Sequence, residues 1–212
     1  HPRLLMVSWA RDVYKRQESI FNAFRRKETF ATTGTRIAVR FFGGYNLSSI
    51  DLNSESLVSE AYQKGVTMGS DLLHNENKIP EFLVWAQRDK NGAPLQRIQI
   101  IKGWIDNNSG RPKEKVFDVA CSDGMKPDPI TNRCPDNGAR VNINDCSITT
   151  NVGSSELKTV WKDPEFAPDD KTFYYVRVLE NPTCRWSTWD AIKAGYKPCL
   201  LYTSPSPRDH EQ

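Results

Sequence analysis

Four cysteines, Cys121, Cys134, Cys146 and Cys184, carry the strongest chemical signal in this sequence. Three of them sit in one stretch rich in Gly, Pro, Asp and Asn. A fifth, Cys199, lies in an end segment expected to be foreign; the four that remain, an even number with three in such a stretch, point to two disulfides and an oxidising compartment. Zinc is the competing possibility, but its spacing is poor. No Cys-x-x-Cys pair occurs, and His74, the histidine between residues 18 and 198, lies far upstream. Buried free thiols are the third possibility. Four cysteines allow three pairings. The preferred one is Cys121 with Cys134 and Cys146 with Cys184, because the first bond would close the base of one polar excursion.

Other constellations are weaker. Asp123, Asp128 and Asp136 with Asn132 and Asn137 could offer oxygen ligands to calcium, yet they fit no EF-hand spacing, and these residue types also build turns. The run Phe173-Tyr174-Tyr175, with Trp186 and Trp189 behind it, suggests a sugar-stacking surface. Core packing is the default, since alternate rings of a strand face opposite sides. Thr32, Thr33 and Gly34 lie where a helix gives way to a strand, the local grammar of the last unit of an α/β barrel, and are the catalytic-end candidates; the strand could equally belong to a β domain. No phosphate-cradling glycine loop, nucleophile elbow or His-Glu-x-x-His helix is present. No carboxylate pair stands out for general acid–base work.

The elements that would position these residues are mostly strands. Residues 18–28 read as a helix with Ile20, Phe21 and Phe24 on one side. Residues 29–42 alternate as a strand, with Ile37, Val39 and Phe41 on one face, ended by Gly43-Gly44. Residues 45–78 are polar and poorly periodic, so a long connection is expected there. Strands follow at 80–88, 95–104 and 114–120. The Asp89–Gly92 and Asp106–Gly110 turns between them predict three consecutive hairpin-linked antiparallel strands. Residues 121–147 form a long excursion of the kind that needs stapling. After a short segment at 156–161, residues 173–179 give another strand. Ser187 or Thr188 should then cap a short helix that ends near Gly195.

Both chain ends read as translated sequencing adaptor. Asp12-Val13-Tyr14-Lys15-Arg16-Gln17 is what GAT GTG TAT AAG AGA CAG encodes, a tagmentation transposase end, and Cys199–Ser204 reads as its reverse complement. Residues 1–17 and 199–212 are therefore expected to be foreign, and 18–198 natural and truncated at both ends. The net charge of +3 includes +3 from residues 1–17 and −1 from residues 199–212, leaving +1 for residues 18–198. Such a balance gives no electrostatic case for nucleic acid or an anionic membrane. No apolar run approaches a membrane span.

Residues 18–34, from Glu18-Ser19-Ile20-Phe21 to Thr32-Thr33-Gly34, resemble the closing helix and strand of the polymerase-and-histidinol-phosphatase (PHP) superfamily. Leu95–Trp104, Val160-Trp161-Lys162-Asp163-Pro164, Phe173–Pro182 and Arg185–Asp190 resemble the C-terminal part of the bacterial family called domain of unknown function 3604. The resemblance implies a metal-dependent hydrolase, with divalent metals held in a distorted α/β barrel to activate water. Its ligand motifs would lie before Glu18, so no metal ligand transfers to a residue here, and no cofactor is expected in this segment itself. The implied fold is α+β and mainly β: a barrel end over 18–44, then an antiparallel β-sandwich-like domain over 45–198 with a stapled loop at 121–147. A further strand beyond Pro198 is implied, as is a periplasmic or secreted bacterial setting. The expected role is non-catalytic, with the β domain packing on a missing barrel and shaping access to its site. The alternative is a stand-alone extracellular β-sandwich that binds a ligand such as a carbohydrate; the ligand itself is not identified.

Overall fold

A computed structural model of the chain describes residues 13–73, 75, 78–107 and 109–196. His74, most of the N-terminal adaptor-like stretch, Pro198 and residues 199–212 lie outside the described residues. The order of elements is α1 (Val13–Arg25), β1 (Ala38–Gly44), a 3-10 turn (Leu47–Ser49), α2 (Leu57–Lys64), β2 (Gly65–Thr67), β3 (Glu81–Gln87), β4 (Leu95–Ile105), β5 (Pro112–Cys121), β6 (Glu156–Lys162), β7 (Thr172–Glu180) and α3 (Trp186–Lys193). Among the described residues, the seven strands form two antiparallel sheets, ordered β2-β1-β3-β6 and β5-β4-β7. The chain is therefore mainly β, as its sequence implies.

The sheets face each other across one apolar layer. Phe41, Phe82, Val84 and Ala86 meet Leu95, Ile98 and Ile100, with Trp161, Tyr174, Val176 and Val178 packed against them. A second apolar cluster covers the opposite side of the four-stranded sheet. There Phe42 and Leu83 pack against Leu47, Ile50, Leu57 and Ala61. β3 is thus buried on both faces, and that is why Phe82-Leu83-Val84-Trp85-Ala86 is a continuous apolar run rather than an alternating one. Phe82, Trp161 and Tyr174 join the core through ring contacts of 4.3–6.5 Å, distances at which aromatic pairs add to simple area burial.

Three sequence-based expectations need correction. Residues 45–78 are not merely a connection: α2 lays Leu57 and Ala61, one helical turn apart, on the outer face, and β2 pairs with β1. Two turns of helix and three residues of strand are too short for a clear periodic signal. Second, β3 and β4 are not a hairpin; the Asp89–Gly92 turn carries the chain from one sheet to the other. Neither Asn91 nor Gly92 has the positive φ that a type I′ turn requires. Instead the Asp89 carboxylate accepts the N–H groups of Asn91 and Arg36, tying the crossing to the start of β1. The β4–β5 hairpin does form, with Gly110 at φ +65 accommodating its turn. Third, α3 starts at Trp186 behind an extended Arg185, so Ser187 and Thr188 lie inside the helix. Its C-terminal end is as expected: Gly195, at φ +76, and Tyr196 donate to the carbonyls of Ile192 and Ala191.

Glu180, at the end of β7, leaves its Oε2 buried without a hydrogen bond. Burial, and then the nearby charge of Asp89, raise its carboxyl above the ordinary range. A raised folded-state value means that the fold holds this proton more tightly than the unfolded chain does. The group's contribution is thus favourable at low pH and is lost as pH rises through the raised value. Glu180→Gln should raise the melting temperature at pH 7 by roughly 2–4 °C, since an unsatisfied acceptor costs about 1 kcal/mol or more. In melts run at a series of pH values, the gain should vanish near pH 4.

Candidate functional site

Thr32, Thr33 and Gly34 occupy an exposed bend before β1, and the space beside Gly34 is open. β1 itself, residues 38–44, is an inner strand of the four-stranded sheet. Of the two homes left open for this strand, the structure shows the β domain. Among the described residues no group of three His, Cys, Asp or Glu side chains is placed to hold a metal ion. Four of the five calcium-like residues instead bond other protein groups with their side chains, locally or across the fold. Asp128 accepts the N–H groups of Ile130 and Thr131, Asp136 pairs with Arg140, and Asp123 accepts the Gly153 N–H. Asn137 donates to Ser122 and Asn181.

The cysteines are paired Cys121–Cys134 and Cys146–Cys184, each with Cα atoms 5.6 Å apart. The first bond folds the excursion back on β5. Beside it, the Cys134 N–H donates to Asp118, a buried carboxylate that also receives Arg97 at 2.8 Å and Gln99 at 2.7 Å. Arg133 stands 3.7 Å from the same carboxylate, and Arg177 donates to Gln99. The bond thus sits next to a cationic cluster on the outer face of the three-stranded sheet.

That outer face continues into aromatics. Tyr174 turns into the core, whereas Phe173 and Tyr175 point out, 60% and 42% exposed. Their rings are nearly parallel, 13° apart, with centroids 6.3 Å apart. Phe173 leans across its cross-strand partner Gly103, where even a methyl group would meet the ring at 2.3 Å. Beside it lies a depression of about 300 Å³ lined by Ile105, Glu114, Lys171 and Phe173, among others. Trp186 and Trp189 are exposed on α3.

A second polar cluster lies within the sandwich. Lys102, 2% exposed, meets Asp163 Oδ2 at 2.6 Å and donates to the Glu165 carbonyl at 2.6 Å. The Tyr174 hydroxyl donates to the same Oδ2 at 2.6 Å, and the Glu165 N–H donates to Oδ1. Burial, followed by the bond to Asp163, pushes the Tyr174 phenol far above its ordinary value, so it remains a neutral donor. With donors on both Asp163 oxygens, this cluster ties β4 and β7 to the β6–β7 crossing. Nothing in the sequence singles it out, because a lysine inside a strand reads as solvent-facing and Asp163-Pro164 reads as a turn.

A family model described as protein of unknown function (DUF3604) matches residues 4–203. The chain belongs to this family. The match includes the long blocks at β4, β6 and β7, which build the facing sheets, the outer aromatic pair and the Lys102–Asp163 cluster. It also runs through parts of both segments that read as adaptor. No curated protein and no solved structure matches this DUF3604 chain.

Proposed function

We propose that this DUF3604 chain is the non-catalytic C-terminal part of a PHP-like metal-dependent hydrolase. Its β-sandwich packs on the barrel and shapes access to the metal site. The observation that supports this is helix α1, which leaves Phe21 and Phe24 60% and 64% exposed. The helix is nonetheless anchored: Lys27 closes its end at φ +56 and sits against Gly69, and Glu28 accepts the Tyr62 hydroxyl at 2.6 Å. An anchored helix with an uncovered apolar face is what a docked neighbouring unit would leave behind. It lies in the stretch that resembles the barrel's closing helix. Since β1 is part of the sandwich, the barrel end on this account is α1 with residues 29–37. Residues 1–17 and 199–212 are taken as translated adaptor.

In the complete protein, divalent metal would be held by the barrel's own residues, and it would activate water for hydrolysis there. The two disulfides suit a periplasmic or secreted protein. No helix among the described residues is long and apolar enough to cross a membrane. The uncovered face makes a direct test. Phe21→Glu with Phe24→Glu should leave the sandwich melting within about 1 °C, as exposed positions do, and in sedimentation velocity the parent should self-associate through its uncovered face while the variant stays monomeric. A large fall in melting temperature would show that these rings pack within the chain, and the docking role would fail.

A further inference from the structure

We infer that the outer face of the β5-β4-β7 sheet binds an acidic polysaccharide, one whose pyranose rings carry carboxylate or sulfate groups. This holds whether or not the barrel proposal does. The pattern lies along β7 and the residue before it. Lys171, Phe173, Tyr175 and Arg177 occur at every second position, and all four are exposed. Alternate residues of a strand share a face and stand about 6.6 Å apart, so the row runs cation, ring, ring, cation over roughly 20 Å. That length suits three or four sugar units. The two rings are nearly parallel at 13° and offer adjacent apolar surfaces. The depression of about 300 Å³ at the Lys171 end gives room for substituents.

The charges favour an acid over a neutral glycan. Arg97, Arg133, Arg177 and Lys171 lie on or beside this face, against Asp118 and Glu114. Asp118 is fully engaged with Arg97, Gln99 and the Cys134 N–H. Arg177 directs its Nε to Gln99 at 2.8 Å, a neutral partner that orients the guanidinium without neutralising it. A planar guanidinium held this way suits bidentate recognition of carboxylate or sulfate. Single-stranded nucleic acid would satisfy the same rings and charges. The two disulfides favour the glycan, because they form where extracellular polysaccharides are the available polyanions.

Native affinity electrophoresis of the whole chain tests this, in gels containing polygalacturonate, dextran sulfate or unmodified dextran, with poly(dT) as a competitor. One or both acidic polymers should retard the protein and dextran should not, and the retarding polymer shows whether carboxylate or sulfate is read. Tyr175→Ala and Arg177→Ala should each raise the polymer concentration for half-maximal retardation at least tenfold. Lys90→Ala, a change to an exposed lysine on the sheet crossing, should leave it unchanged, and melts should confirm that all three variants fold. No retardation by either acid, equal retardation by dextran, equal loss in Lys90→Ala, or stronger binding of poly(dT) would each overturn the inference.

Discussion

Lys102→Met is expected to destabilise the protein by about 3–5 kcal/mol, the usual cost of removing one partner from a buried ion pair. The substitution keeps much of the side chain's length but leaves Asp163 as an uncompensated carboxylate in an apolar layer, with only the Tyr174 hydroxyl and the Glu165 N–H to stabilise it. In a domain of this size, each kcal/mol shifts the melting temperature by about 2–4 °C, so a fall of roughly 10 °C is expected. The double variant Lys102→Met, Asp163→Asn should be less destabilised than the two single effects combined, by about 1 kcal/mol or more, because it removes the stranded charge as well. Strict additivity would mean that the two groups are not coupled, contrary to their 2.6 Å contact.

Loss of the disulfides should be comparably costly. The Cys121–Cys134 bond closes a separation of 13 residues and the Cys146–Cys184 bond one of 38. Loop-closure entropy puts their contributions at about 3 and about 4 kcal/mol. Cys146→Ser with Cys184→Ser should therefore cost more than Cys121→Ser with Cys134→Ser, and a reductant should lower the melting temperature of the parent by more than either change alone. The shorter bond has a second role, since the Cys134 N–H is one of the donors to buried Asp118. Its loss should loosen the excursion near Arg97 and Arg133 in hydrogen exchange. Peptide mapping without reductant should yield these two pairs. Any other pairing would contradict the packing of the excursion on β5.

How much of this was legible in the sequence depended on whether the deciding contact was local. The β4–β5 hairpin, the alternation of β7 and the stop at Gly195 are local events, and each can be read from residue type and spacing. The pairing of cysteines was narrowed by the same logic, since one bond closes the base of a single excursion. The β3–β4 crossing was not legible. Asn91-Gly92 has hairpin composition, but both edges of β3 are taken by the distant strands β1 and β6, so β4 has no edge to pair with and enters the other sheet. α2 carries no clear local signal because its helical character is enforced by the outer face of the four-stranded sheet, through Leu57 and Ala61 against Phe42 and Leu83.

The candidate site shows the same division. The aromatics of β7 are conspicuous in sequence, but which of them face outward is decided by the neighbouring sheet, which takes Tyr174 into the core and leaves Phe173 and Tyr175 outside. The cations around Asp118 were invisible, because Arg97, Arg133 and Arg177 come from three separate segments joined by a β-sheet and a disulfide. Thr32, Thr33 and Gly34 were conspicuous for the opposite reason, a local pattern that the fold leaves in an exposed bend.

The coding region read outward from residues 18–198 in the source DNA tests the proposed function most directly. An open reading frame continuing upstream of Glu18 into His- and Asp-rich metal-ligand motifs is the predicted result, with different residues in place of 1–17 and 199–212. A start codon immediately before Glu18, or an upstream region without such motifs, would contradict it.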